Sequence, residues 1–201
     1  MKRIIQKTTG FLAAAAMLFS FTACEQTEVT PDASLEASNA QNAHRSKSYN
    51  LNKTYTAEIK ALNGSGVMGT ATLMLEGNML TVNIMASGLE AGMLHVQHIH
   101  GFMDKNKNAV CPPMSADTNG NGLVELGEGL PFYGPILLDL APFSTAPDGS
   151  INYTQTFQVS AGVLPLQNNV IVLHGMTVDG VYWPSLPVAC GEIKVMNNGN
   201  R

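Results

Sequence analysis

The segment GTATLMLEGNMLTVNIMASG, residues 69–88, limits the fold more than any other part of the chain. Two β-type runs flank Gly77-Asn78, and a two-residue turn of that composition folds such runs back on each other as a hairpin. The same texture of short runs punctuated by glycine, asparagine and proline continues through TYTAEIKAL, LHVQHIHG, GLVEL, PILLDL, SINYTQTFQV, NNVIVLHGM and CGEIKV. No window sustains an amphipathic helical pattern, and no internal repeat is present. Nine short strands without alternating helices predict an all-β domain of two packed antiparallel sheets. The segments 101–122 and 175–189 are then long loops, held at the rim of a rigid scaffold where function concentrates.

Composition narrows the class. At 45% hydrophobic and 13% charged residues the chain has the makings of one modest globular domain, and no basic patch is present to neutralise phosphates, which excludes nucleic acid as a partner. The N-terminus MKRIIQKTTGFLAAAAMLFSFTAC has a basic start, an apolar run too short to span a bilayer, and small residues before Cys24. It reads as a signal peptide over residues 1–23. Cys24 stands where a bacterial lipoprotein receives its lipid, the alternative being ordinary cleavage. Either way the protein leaves the cytoplasm for the cell envelope, as a periplasmic or outer-membrane lipoprotein if lipid is attached. Loss of Lys2, Arg3 and Lys7 leaves 8 basic against 15 acidic residues, a charge of −7.

Residues 24–52 are polar and without period, a flexible tether from a lipid anchor, and residues 53–201 form the folded domain. If Cys24 carries lipid, Cys111 and Cys190 are the remaining thiols, and an oxidising compartment favours joining them; two separately buried thiols are the alternative.

Three of the five histidines fall in HVQHIH, residues 95–100. On a strand alternate side chains share a face, so His98 and His100 point one way and His95 the other. His174 closes another β-type run, VIVLHG. If the two strands are neighbours, His98, His100 and His174 form a three-nitrogen site suited to copper or zinc over magnesium or calcium, with one coordination position open. A fortuitous cluster on a solvated face is the competing reading. His95 is expected to pack or to support the ligands from behind, with a fourth-ligand role as the alternative. Met93, Met103 and Met176 lie near these histidines; most of the 11 methionines are core filler, and Met176 is the one candidate thioether ligand.

The stretches GMLHVQHIHGF, VIVLHGM and PVACGEI, with an intervening loop that holds Cys111, resemble the copper,zinc superoxide dismutase superfamily. QHIHG and GEIKV also resemble the strands of the CHRD domain, named after chordin. The first resemblance implies a Greek-key β-sandwich of about eight antiparallel strands, with His98, His100 and His174 as copper ligands, His95 as a structural histidine and a Cys111–Cys190 disulfide. It also implies superoxide chemistry. Two departures bear on that activity: no histidine lies between His100 and His174 to build a zinc site, and Pro187 stands where that family keeps an arginine that guides superoxide.

Other motifs point elsewhere. DTNGNGLVELGE, Asp117 to Glu128, has the spacing of a calcium loop, but no helical pattern flanks it and GLVEL reads as a strand, so an Asn/Gly-rich turn is the plainer account. Tyr182 and Trp183 lie in a proline-marked loop and either line the metal entrance, bind a partner or anchor the loop. Phe132, Tyr133 and Phe143 are expected to pack beside a strand. No nucleophile elbow or phosphate loop is present. The sequence reading is a secreted metal-binding sandwich, mononuclear copper (zinc second) on three histidines, with redox activity as its extension; the alternative is a non-catalytic envelope module that binds a protein or polymer.

Overall fold

The computed structural model describes residues 52–196; the leader, Cys24 and the tether as far as residue 51 lie outside them. The strands are β1 (Lys53–Ala61), β2 (Met68–Glu76), β3 (Met79–Ser87), β4 (Leu94–His95), β5 (Gln97–His100), β6 (Ile136–Asp139), β7 (Ser144–Thr145), β8 (Ile151–Gln158), β9 (Val170–Val178), β10 (Val181–Glu192) and β11 (Lys194–Val195). They pair antiparallel in the order β6-β5-β9-β10-β1-β2-β3-β8, with β11 beside the start of β1 and β4 paired to β7 in a separate ribbon. The sheet curls into an open half-barrel whose edges are β6 and β8. The expectation of an all-β antiparallel domain therefore holds.

Alternation along the strands builds the main core. Leu73 and Leu75 of β2, Leu80, Val82 and Ile84 of β3, and Tyr55 and Ile59 of β1 turn inward to meet Ile99, Ile171 and Leu173 from the other half of the sheet. The β2–β3 turn is Gly77-Asn78, with Glu76 opposite Met79, as the sequence requires. Val170 and Val172 of β9 face the opposite way and form a second, smaller cluster with Ala109, Tyr133 and Cys190. That outer cluster is covered by the excursion between β5 and β6, residues 101–135, from which Ala109 and Tyr133 pack against it.

Three expectations fail for identifiable reasons. GLVEL is no strand: Asn63 offers Oδ1 to the Val124 N–H (2.7 Å) and donates Nδ2 to the Val124 carbonyl (3.1 Å), so a side chain takes the place of a neighbouring strand. The same Nδ2 reaches the Pro187 carbonyl at 2.8 Å. Second, a helix exists. Helix α1 (Leu126–Tyr133) starts from a reciprocal cap between Glu125 and Glu128, a sequence signature masked by Gly127, Gly129 and Pro131. Gly129 is required, because a Cβ there would sit 2.2 Å from the ring of Tyr133, which folds back over it. Third, 175–189 is mostly strand. Asp179 (φ 50°) and Gly180 (φ 78°) make the tight turn that joins β9 to β10. Register shifts between Trp183 and Pro187, and between Pro187 and Ala189, absorb the prolines that disguised β10 as a loop.

Cys111 and Cys190 are joined by a disulfide, with Cα atoms 5.7 Å apart, and it staples the excursion to β10. The bridge closes a loop of 79 residues, for which chain entropy gives on the order of 4 kcal/mol. A Cys111→Ser/Cys190→Ser variant should lose roughly 2–5 kcal/mol in denaturant unfolding and lose amide protection first in residues 101–135. Equal stability with and without the bridge would show that the excursion is held by its other contacts.

Candidate metal centre

His98 and His100 leave β5 on the outer face while Ile99 between them enters the main core. β9 lies directly alongside, with Val172 opposite His98 and Val170 opposite His100. His174 lies two residues beyond Val172, so its ring emerges on the same face, and its N–H bonds to the Val96 carbonyl at 2.8 Å. The three rings converge: their centroids are 5.2 Å apart for His98–His174, 5.6 Å for His98–His100 and 5.8 Å for His100–His174. One potential ligand atom from each lies within 4.8 Å of the others. Three imidazoles on a single ion sit about 3.5 Å from one another at nitrogen–metal distances of about 2.0–2.1 Å. Separations of up to 4.8 Å therefore exceed those of a closed coordination triangle by at most about 1.3 Å.

Hydrogen bonds decide which nitrogen each ring offers. His100 Nδ1 lies 2.9 Å from the Gly134 carbonyl and His174 Nδ1 lies 2.9 Å from the Ser185 carbonyl, so both donate from Nδ1 and turn Nε2 inward. His98 is reversed: its Nε2 meets Asp139 Oδ1 at 3.2 Å, which leaves Nδ1 facing the cluster. His98 Nδ1, His100 Nε2 and His174 Nε2 are all buried without a hydrogen-bond partner. A buried polar atom left unpaired costs about 1–3 kcal/mol, and each of the three clustered histidines carries one such ring nitrogen, a donor set able to coordinate a cation. The other buried orphan, Gln97 Oε1, belongs to the neighbouring position on β5 and faces away from this set.

Burial also sets the charge of the rings. Desolvation lowers the His100 pKa to about 4, against the Gly134 carbonyl, which favours the protonated ring. It lowers His174 to about 3, with Ser185 opposing in the same way. His98 is lowered by burial and partly restored by the Asp139 carboxylate. Near neutral pH all three rings are thus uncharged, the state in which imidazole ligates. Tyr133 packs edge-on to His100 with centroids 4.7 Å apart, and Phe143 edge-on to His98 at 5.6 Å, so aromatic walls close the cluster on two sides.

The remaining sequence candidates take other places. His95 is fully buried, but its ring nitrogens lie 3.1 Å from the His174 carbonyl and 3.0 Å from the Glu90 carbonyl, which makes it a brace behind the ligand strand. Met176 is half-buried against the main core. Tyr182 sits on β10 with its ring toward His95 and its hydroxyl on the Leu94 carbonyl, over Gly175, where any Cβ would collide with it. Trp183 is absent from the walls of the histidine cluster and stands half-exposed on the next part of β10. In the Asp117–Glu128 loop a helix does follow, contrary to the sequence reading. Asp117 accepts from the N–H groups of Gly120 and Gly122, and Glu128 from Thr118, Asn119 and Glu125. The Glu125 N–H bond, followed by those from Thr118, holds the Glu128 carboxyl down at about 2.

Asp139, Tyr133 and Phe143 were not singled out as site residues from the sequence. Asp139 carried one signal, a lone acid closing the apolar run ILLD; its partner becomes visible only when β6 is registered on β5, which places Asp139 opposite His98. No protein-family model matches the chain, and no curated protein matches it.

Two outcomes test the geometry. Because the folded histidines have depressed pKa values, the unfolded chain takes up protons that the folded chain refuses. Stability is therefore undiminished by these groups above about pH 6.5, where both states are neutral, and falls with pH below that until the folded rings themselves protonate, at about 4 for His100 and about 3 for His174. Thermal melts of metal-free protein should fall across this window more steeply than those of a His100→Gln/His174→Gln variant; parallel curves would refute the buried neutral assignment. Asp139→Asn, which weakens the orientation of His98 while sparing the fold, should lower affinity for a bound transition metal by about 10–100-fold. Unchanged affinity would show that Asp139 does not orient the ligand.

Proposed function

We propose that this domain holds a single copper ion on His98 Nδ1, His100 Nε2 and His174 Nε2. The observation that carries the reading is the convergence of three buried, unpartnered imidazole nitrogens, one from each ring. Three neutral imidazoles suit copper and zinc, and the Irving–Williams order places copper above zinc for the same ligands. The cysteines do not compete, since Cys111 and Cys190 are spent on each other. Gly134, Ser185 and Asp139 would hold the rings in their ligating tautomers, and Tyr133 and Phe143 would keep water from the nitrogens. Copper so bound supplies one-electron redox chemistry, and superoxide is the substrate class that the motif resemblance suggests.

The strand order supports a Greek-key arrangement of the superoxide dismutase type. β3 is neighboured by β8 and β9 by β5, so both halves of the sheet are closed by long crossovers instead of by the next strand in sequence. In this reading the domain stands outside the cytoplasm on a tether lipidated at Cys24. The missing zinc histidines and the uncharged Pro187 argue for a mononuclear, slow centre, or for copper held without turnover.

Elemental analysis of the secreted protein grown with both metals supplied should give one copper per chain, and none in His98→Ala/His174→Ala. Equal copper in both proteins would sink the site. Absence of any transition metal from the wild type would favour the module as an interaction domain. Superoxide consumption by the loaded protein above that of the same amount of free copper separates an enzyme from a carrier.

A further inference from the structure

A second site lies outside the histidine cluster, between the loop that opens α1 and the β9–β10 hairpin. It is a cavity of about 410 Å³ whose lining includes Leu123, Leu126 and Leu186 together with Trp183, Glu125 and Asp179. None of the three metal-binding histidines lines it, although Ser185, which does, shows its carbonyl to His174. The volume lies near the lower end of small-molecule pockets, about 300–1,000 Å³, which suits a head group with a short chain.

The lining has one chemical bias. Trp183 is the only tryptophan of the chain and stays 51% exposed, a large apolar face left open to water. Around it are two carboxylates and neither lysine nor arginine. The ion pairs found among the described residues involve neither Glu125 nor Asp179. Glu125 is held in place, since Oε1 accepts from Asn121 Nδ2 at 3.0 Å and the side chain caps α1. Asp179 is fixed by the turn in which it adopts φ 50°. An indole and two carboxylates lining one cavity that no lysine or arginine lines make an environment that attracts an organic cation, through the ring quadrupole and through charge.

We propose that this cavity binds an alkylammonium or guanidinium group, seated over the Trp183 ring with its charge facing Asp179 and Glu125. The group can be borne by a free polyamine or amino compound, or by a lysine or arginine side chain of a partner. The proposal is independent of the metal assignment.

Because Trp183 is the single tryptophan, its fluorescence reads the site directly in the intact chain. Spermidine, blocked lysine and arginine amides, and a lysine-containing peptide are titrated in turn, with glucose and cellobiose as neutral ring-stacking controls. The expected result is a saturable emission change with one or more of the cations, weakened by added salt, and no change with the sugars. Response to spermidine alone identifies a free amine, and response to the peptide alone identifies a protein partner. Asp179→Asn should weaken binding about twofold to fivefold, and asparagine tolerates the left-handed turn, so the hairpin survives. Trp183→Leu, followed by calorimetry, should abolish binding while leaving the thermal melt in place. No saturation by any cation, a response to sugars equal to that of the cations, or an affinity untouched by Asp179→Asn would each overturn the proposal.

Discussion

The histidine cluster depends on the register of β5 against β9. Side chains alternate with a period of two, so a slip of one residue would send His98 and His100 into the hydrophobic core and bring Ile99 out in their place. That slip is opposed from both sides. Ile99 is fully buried on the inner face against Ile171 and Leu173 of β9, and a slip would force it into the outer cluster and put a polar ring in its place. Core packing on one face of the sheet therefore fixes ligand geometry on the other, and no residue of the cluster has to enforce it alone.

The same sheet face explains why the cluster tolerates its own cost. Three unpaired nitrogens within 4.8 Å destabilise the metal-free fold, by an amount on the order of several kcal/mol if each is charged at the usual rate for a buried orphan. A disulfide and an extensive core on the opposite face offset this. The tension between stability and readiness to bind is local to the outer side of β5 and β9, where the excursion can be stapled down without disturbing the barrel-like core.

Much of this was legible in the chain. Period-two patterning and the Gly77-Asn78 turn identify an all-β domain, and HVQHIH with VIVLHG identifies the three histidines that converge, because strand geometry is local. What was not legible is what long-range pairing creates. Asp139 acquires meaning only when β6 lies on β5; the Gly134 and Ser185 carbonyls are backbone groups that no residue type announces. Helix α1 was hidden by its glycines and proline, and β10 by its prolines, even though Asp179-Gly180 is a hairpin signal of the same kind as Gly77-Asn78. Pro184 and Pro187 interrupt the β pattern that this turn announces. Cys24 and the tether lie outside the described residues, and their roles rest on the sequence.

Asn63 sits at the junction of three segments far apart in the chain, bonded to Val124 in the excursion and to Pro187 on β10, while its neighbour Leu62 donates to the Val188 carbonyl. With the disulfide as a second tie, the roof over the histidines is not a flap on a hinge. Raising it requires the end of β1, the irregular part of β10 and the start of α1 to part together. Motion of residues 101–135 away from the histidine face is therefore coupled to the loss of several distant contacts at once.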